Sequence, residues 1–152
     1  MRIGVLSDTH VQRIEELHPE IIKGLGGVDL IVHCGDFVGI ELLEGLRRLG
    51  EVKAVRGNMD SAAVKEALPE KELFVVAGKK VGVVHGWGAP LGIEQRVRSL
   101  FDDVDIILFG HSHWAKCEKI GGIFFFNPGP GFQSFGIVTI AEDVSGEVIR
   151  VR

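Results

Sequence analysis

Five short apolar runs, each breaking into a loop with a metal-binding side chain, constrain this chain more than any other feature. The loops read Asp8-Thr9-His10, Gly35-Asp36, Gly57-Asn58, His85-Gly86 and Gly110-His111-Ser112-His113. All but the first lie beside a glycine, which lets the backbone turn sharply. Short runs of Val, Ile and Leu bounded by turn residues read as buried strands. Open α/β sheets place their sites at the C-terminal ends of such strands. Together the loops hold two carboxylates, one amide and four imidazoles. That is more than one ion needs, and a two-metal site of this donor type points to phosphoester hydrolysis.

Between these runs the pattern switches to helices. Pro19 suits a first helical turn, and the Gly26-Gly27 pair is a stop signal, so a helix is expected from Pro19 to that pair. Ile40, Leu42, Leu43, Leu46 and Leu49, with charges at 41, 44, 47 and 48, form an amphipathic helix. A short helix is expected over 61–68, closed by Pro69, and another over 91–101 from the spacing of Ile93, Val97, Leu100 and Phe101. Strands are expected near 3–6, 29–33, 52–55, 72–77, 80–84, 105–109, 123–126, 135–140 and 147–151. The early βαβ order and late hairpins predict a layered α/β sandwich, one domain over residues 1–152.

Composition narrows the function. No apolar run approaches the roughly 20 residues that span a bilayer. The start, Met1 to Asp8, is too short and too soon acidic for a signal peptide, so a cytoplasmic location is expected. A net charge of −4 argues against sequence-independent nucleic-acid binding. A small nucleotide stays open as a ligand, since bound cations supply local positive charge. Cys34 and Cys117 fit neither a disulfide framework nor a zinc spacing, and both read as small buried hydrophobes.

Asp-x-His on an extended backbone would point both side chains to one side, where a single ion can take them. His111 and His113 share that spacing, although a loop could send the two rings to different ions. Asp36 is the natural carboxylate to bridge two cations. Asn58 adds a neutral oxygen, which leaves a formal surplus of about +2 to attract phosphate and acidify a water.

The order D-x-H, G-D, G-N, a later His, and G-H-x-H resembles the calcineurin-like metallophosphoesterases, over Asp8 to His113, with Asn127-Pro128-Gly129 also matching. The compact length resembles the branch of small phosphodiesterases in that superfamily. The resemblance implies an α/β fold, a four-layer αββα sandwich of two mixed sheets flanked by helices. It implies one metal on Asp8, His10, Asp36 and His113, and a second on Asp36, Asn58, His85 and His111. Asp36, Asn58 and His85 are the residues expected to carry catalysis, by attack of a metal-bridging hydroxide on a phosphodiester. The ions would be divalent transition metals, manganese first, with nickel, iron or zinc as alternatives. A small phosphodiester, a nucleotide among the candidates, is the expected partner.

The chain departs from the family pattern at Met59, where the resemblance implies a histidine after Gly-Asn that protonates the leaving group or grips the phosphate. A thioether cannot donate a proton, and losing a general acid costs on the order of 10²–10⁴ in rate. Slow turnover and a preference for activated diesters follow. The alternatives are a phosphomonoesterase and a non-catalytic protein-binding scaffold like Vps29, which resembles the same branch.

Other residues keep two readings each. Arg56 could hold a phosphate oxygen or be a surface arginine. His33 could orient a ligand or be a core histidine. Asp60 reads first as a helix cap, with ligand orientation second. Trp87 and Trp114 could wall the pocket or pack. Phe124-Phe125-Phe126 could mark a homo-oligomer interface or plain sheet packing. His18, just before Pro19, reads as solvated.

Overall fold

The computed structural model describes residues 1–152. Its ten strands are β1 (Arg2–Leu6), β2 (Leu30–His33), β3 (Val52–Ala54), β4 (Lys71–Val76), β5 (Lys79–Val84), β6 (Ile106–Leu108), β7 (Lys116–Ile120), β8 (Ile123–Asn127), β9 (Ser134–Ile140) and β10 (Val144–Arg150). The helices are α1 (Pro19–Leu25), α2 (Ile40–Leu49), α3 (Ala62–Ala67) and α4 (Ile93–Arg98), with a 3-10 turn over Ile14–Glu16.

The strands form two five-stranded mixed sheets, ordered β10-β9-β1-β2-β3 and β4-β5-β6-β8-β7. β1, β2 and β3 run parallel, as do β5, β6 and β8, while the hairpin partners run antiparallel. Strand alternation decides the layers. Ile3, Val5, Leu30 and Val32 of one sheet share a core with Val81, Val83, Ile106, Leu108 and Phe126 of the other. The intervening Ile31 faces outward onto Ile21, Leu25, Leu42 and Leu46 of α1 and α2. Ile107 and Phe125 face outward onto Ile93 and Val97 of α4. This is the four-layer αββα sandwich.

Three expectations need correction. β7 was not among the expected strands: Lys116-Cys-Glu-Lys-Ile120 lacks apolar alternation because it is an exposed edge. Its hairpin to β8 turns on Gly121 and Gly122, both at positive φ. Cys117 is exposed for the same reason, whereas Cys34 is buried as expected. The phenylalanine run shows no outward ring. Phe124, Phe125 and Phe126 are 8%, 1% and 0% exposed, because both faces of β8 are covered.

The helix ends follow local chemistry. His18 accepts the Glu20 N–H through Nδ1 ahead of Pro19, so it is an N-cap and lies outside the site. Ser61 Oγ accepts the Val64 N–H and caps α3. That leaves Asp60 for another role.

Candidate metal centre

The C-terminal ends of β1, β2, β3, β5 and β6 converge at one end of the sandwich, and the seven candidate ligands lie in the loops that follow them. Two overlapping triads of potential metal-binding atoms form there: Asp8, His10 and His113, and Asp8, Asp36 and His85. Asp8 Oδ1 is 3.3 Å from His113 Nε2 and 3.8 Å from His85 Nε2, and Asp36 Oδ2 is 3.2 Å from His85 Nε2. Asp8 belongs to both triads, and Asp36, the carboxylate expected to bridge, belongs to the second. The His111 ring lies 5.2 Å, centroid to centroid, from that of His85. Thus the two histidines of the G-H-x-H loop diverge, His113 toward Asp8 and His111 toward His85. Asn58 lines a cavity together with His85, and Arg56 lines the same cavity.

The backbone under these residues is not extended. Asp8, His10, Asp36, His111 and His113 have φ of 52°, 52°, 61°, 67° and 61°. The strand-like geometry expected for Asp-x-His is therefore wrong, because β1 ends at Leu6. Left-handed conformations are uncommon outside glycine, and Asp and His adopt them more readily than most residues. Each costs on the order of 1–3 kcal/mol and persists only where the surroundings overdetermine it.

Hydrogen bonds between loops supply that determination. Asp8 N–H donates to the Gly35 carbonyl at 3.0 Å, and His10 N–H to the Asp36 carbonyl at 3.1 Å. His111 N–H donates to Asp8 Oδ2 at 3.1 Å, and Ser7 Oγ donates to the same oxygen at 2.5 Å. Met59 N–H donates to Asp36 Oδ1 at 2.7 Å. Two glycines are required by close approach. A Cβ at Gly57 would collide with the Asp36 carboxylate, and one at Gly110 would collide with Ser7 Oγ.

Asp60 is the most consequential residue that the sequence understated. Its buried carboxylate accepts four backbone N–H groups. Oδ2 takes Asp36 at 3.0 Å and Gly57 at 2.7 Å, and Oδ1 takes Phe37 at 2.8 Å and Val38 at 2.7 Å. It locks the Gly-Asp loop to the Gly-Asn loop. His33 does the same for the neighbouring pair. Its Nδ1 accepts the Gly35 N–H at 3.0 Å, which leaves Nε2–H to donate to Thr9 Oγ1 at 3.0 Å. Burial, then the nearby His85, pushes its pKa down to about 3, so His33 is a neutral brace. Asn127 braces from the far side, donating Nδ2 to the Gly110 carbonyl at 3.2 Å and to Ser112 Oγ at 3.1 Å. Only the residue types hinted at these roles; apart from Gly57 and Gly35, the partners lie 15 to 24 positions away.

The donor set fits cations. Asp8 and Asp36 are 0% and 3% exposed, and like charges buried together without compensation are costly. Asp8 Oδ1 and His85 Nε2 are buried with no hydrogen-bond partner. His85 Nδ1 lies 2.8 Å from the Cys34 carbonyl, so it carries the hydrogen and leaves Nε2 with a free lone pair. A ring nitrogen fixed by a backbone carbonyl while the other faces carboxylates is the usual state of a metal-ligating histidine. His111 Nε2 likewise meets the Gly88 carbonyl at 3.0 Å, which frees Nδ1. Electrostatics agree. Burial pushes the His85 pKa down, but the Asp36 and Asp8 carboxylates outweigh it and raise it on balance. Burial pushes the Asp36 carboxyl up, and His85 with the Met59 N–H outweighs that, lowering it. Positive charge is favoured at this point of the molecule.

Of the remaining aromatics, Trp87 and Trp114 are 44% and 63% exposed, so neither is core packing. Phe132, 59% exposed, sets its ring 6.3 Å from that of His113.

A family model described as the calcineurin-like phosphoesterase superfamily domain matches residues 1–141. A protein of Methanocaldococcus jannaschii named probable metallophosphoesterase is 39% identical over 133 residues, covering 85% of this chain and 67% of its own length. A second protein of that organism, named a phosphodiesterase, is 24% identical and covers 98% of this chain and 99% of its own. The structure of Vps29 from Entamoeba histolytica complexed with zinc superposes with a TM-score of 0.76 at 25% identity, covering 99% of each chain.

Proposed function

Since the chain belongs to the calcineurin-like phosphoesterase superfamily, we propose that this metal-dependent phosphoesterase hydrolyses phosphodiesters at a dinuclear centre. The observation that carries the reading is the pair of buried, partnerless atoms Asp8 Oδ1 and His85 Nε2, set among further donors. Asp8, His10, Asp36 and His113 would hold one divalent ion, and Asp36, Asn58, His85 and His111 the other. Two such ions would supply Lewis acidity toward the phosphoryl oxygens and a water acidified toward neutrality.

The chain's own residues set the rest. The carbonyls of Cys34 and Gly88 fix the tautomers of His85 and His111, so each ring presents one lone pair. Asp60, His33 and Asn127 hold the loops, so the donors are arranged before an ion arrives. Asn58, being neutral, keeps the formal charge of a filled site positive. In the reaction the water oxygen bonds to phosphorus and the bond to the leaving alcohol breaks, giving a monoester and an alcohol. Met59 is 61% exposed and holds no proton to give, so departure of the alcohol has no side-chain acid at that position. Diesters with good leaving groups suffer least from that lack, and the relative named a phosphodiesterase supports diesters as the substrate class.

The test uses metal-stripped protein with bis-p-nitrophenyl phosphate and p-nitrophenyl phosphate, restoring Mn²⁺, Ni²⁺, Zn²⁺ or Mg²⁺ separately. Diester cleavage should return with a transition metal, exceed monoester cleavage, and fall at least 10²-fold in Asp36→Asn, on the order expected for losing a catalytic group. Wild-type turnover by Asp36→Asn would overturn the site. A second reading, a metal-holding scaffold for a protein partner, is favoured by the likeness to zinc-complexed Vps29. It would gain from tight metal binding with no cleavage of either ester.

A further inference from the structure

A cavity of about 450 Å³ opens beside the proposed second-metal residues, and nothing in the hydrolytic reading uses its far half. Asn58 and His85 line the near end, and Arg56, Lys65, Glu70 and Trp87 line the rest. The volume is that of a small-ligand pocket rather than of a bare phosphoryl group. Its far half carries two cations and one carboxylate. Neither the Lys65 ammonium nor the Glu70 carboxylate has an ion-pair partner in the fold. Arg56 uses Nη1 on the carbonyls of Lys65 and Leu68, at 3.1 and 3.4 Å, which fixes the guanidinium against the last turn of α3.

The backbone that carries the aromatic wall is held as well. Arg96 donates Nε to the Trp87 carbonyl at 2.9 Å and Nη1 to that of Leu91 at 3.3 Å, and Nη2 binds the carbonyl of Ala89. Gly88, within the same loop, has φ of +82° and offers its carbonyl to His111. The loop that positions a proposed ligand therefore also fixes the backbone from which the exposed indole of Trp87 projects.

We infer that this cavity is a subsite for one ester arm of the substrate, an arm carrying an aromatic ring and a second phosphoryl group. The inference rests on the phosphodiesterase reading above. Trp87 offers a face for the ring. Arg56 and Lys65 take the second phosphate by charge-assisted hydrogen bonds. Glu70 accepts from a sugar hydroxyl, as acidic residues do in nucleotide sites. A nucleoside bisphosphate esterified at one phosphate has this chemistry.

Three p-nitrophenyl esters separate the ideas: bis-p-nitrophenyl phosphate, the 5′ ester of thymidine 5′-phosphate, and the 5′ ester of thymidine 3′,5′-bisphosphate. Wild-type protein should favour the bisphosphate ester over the thymidine 5′-phosphate ester in kcat/KM. Lys65→Glu should cut that ratio about tenfold, through KM, as expected for one charge-assisted hydrogen bond. Lys79→Glu, which changes net charge equally at the opposite end of β5, should leave the ratio alone. A wild type without the preference, or an unchanged ratio in Lys65→Glu, would overturn the subsite while leaving the phosphodiesterase standing. Failure to cleave bis-p-nitrophenyl phosphate would instead strike the phosphodiesterase reading. The subsite is then decided in metal-free Trp114→Phe protein, where Trp87 is the remaining indole. Saturable quenching of its fluorescence by thymidine 3′,5′-bisphosphate, abolished by Lys65→Glu, would support the subsite. No quenching would end it.

Discussion

At position 59 a single side chain would limit the proposed chemistry. In the proposed mechanism Met59 takes the place of a proton donor for the leaving group, and its backbone N–H already holds Asp36 Oδ1 at 2.7 Å. Because the backbone is committed and the side chain is exposed, Met59→His should be tolerated. It should raise kcat on p-nitrophenyl phosphate by on the order of tenfold, below the 10²–10⁴ of a fully positioned acid. The gain on bis-p-nitrophenyl phosphate should be smaller, a difference steady-state kinetics on both esters would reveal. An equal gain on both would mean that proton donation does not limit turnover. Single residues also mark where sequence reasoning stopped. Asp8, Asp36 and the histidines were legible because their types and spacing are unusual together. Asp60 was not, since an acid before a helix looks like a cap until Ser61 is seen to hold that place.

Among the elements, the loops after β1, β2 and β6 are strained individually and, together with the loop after β3, stable collectively. Asp60 ties two of them with four N–H bonds. In Asp60→Asn the amide NH₂ would face backbone donors that need an acceptor. A stability loss of about 3 kcal/mol is expected from the unsatisfied groups, read from urea unfolding. Metal affinity should fall with it, since Asp36 loses its anchor; Ser61→Ala, which removes only the cap of α3, should cost about 1 kcal/mol and spare metal binding. Equal effects on metal binding would return Asp60 to the status of a cap. The elements themselves were mostly readable: apolar runs and helical periodicity placed nine of the ten strands and all four α-helices. The exception, β7, is an edge strand whose pairing comes from the Gly121-Gly122 turn and from β8 rather than from its own side chains.

Over the whole molecule, two buried carboxylates and strained loops make the metal-free fold electrostatically incomplete. Binding an ion at 100 times its dissociation constant adds about 2.7 kcal/mol, which should raise Tm by roughly 5–10 °C for a chain of this size. The effect should depend on pH with a definite sign. The His85 pKa is raised in the metal-free fold by the carboxylates that outweigh its burial. Its proton therefore stabilises the metal-free protein below the unfolded value near 6.5, and that contribution is lost as pH rises through the folded value. A metal needs His85 neutral, so the Tm gain on adding Mn²⁺ should be larger at pH 8 than at pH 6. Thermal melts with and without metal at the two values would show it, and a gain that shrinks with pH would contradict the ligand role of His85. The sequence by itself determined which residues could bind metal, the strands that carry them and the layered class, because hydrophobic period and donor chemistry are local properties. Which ligand faces which, the nearness of Asp8 to both His85 and His113, the left-handed backbone beneath the donors and the clamp at Asp60 were decided only by the tertiary structure. They depend on two sheets bringing their strand ends together, so that hydrogen bonds between distant loops outweigh the conformational preferences of each loop alone.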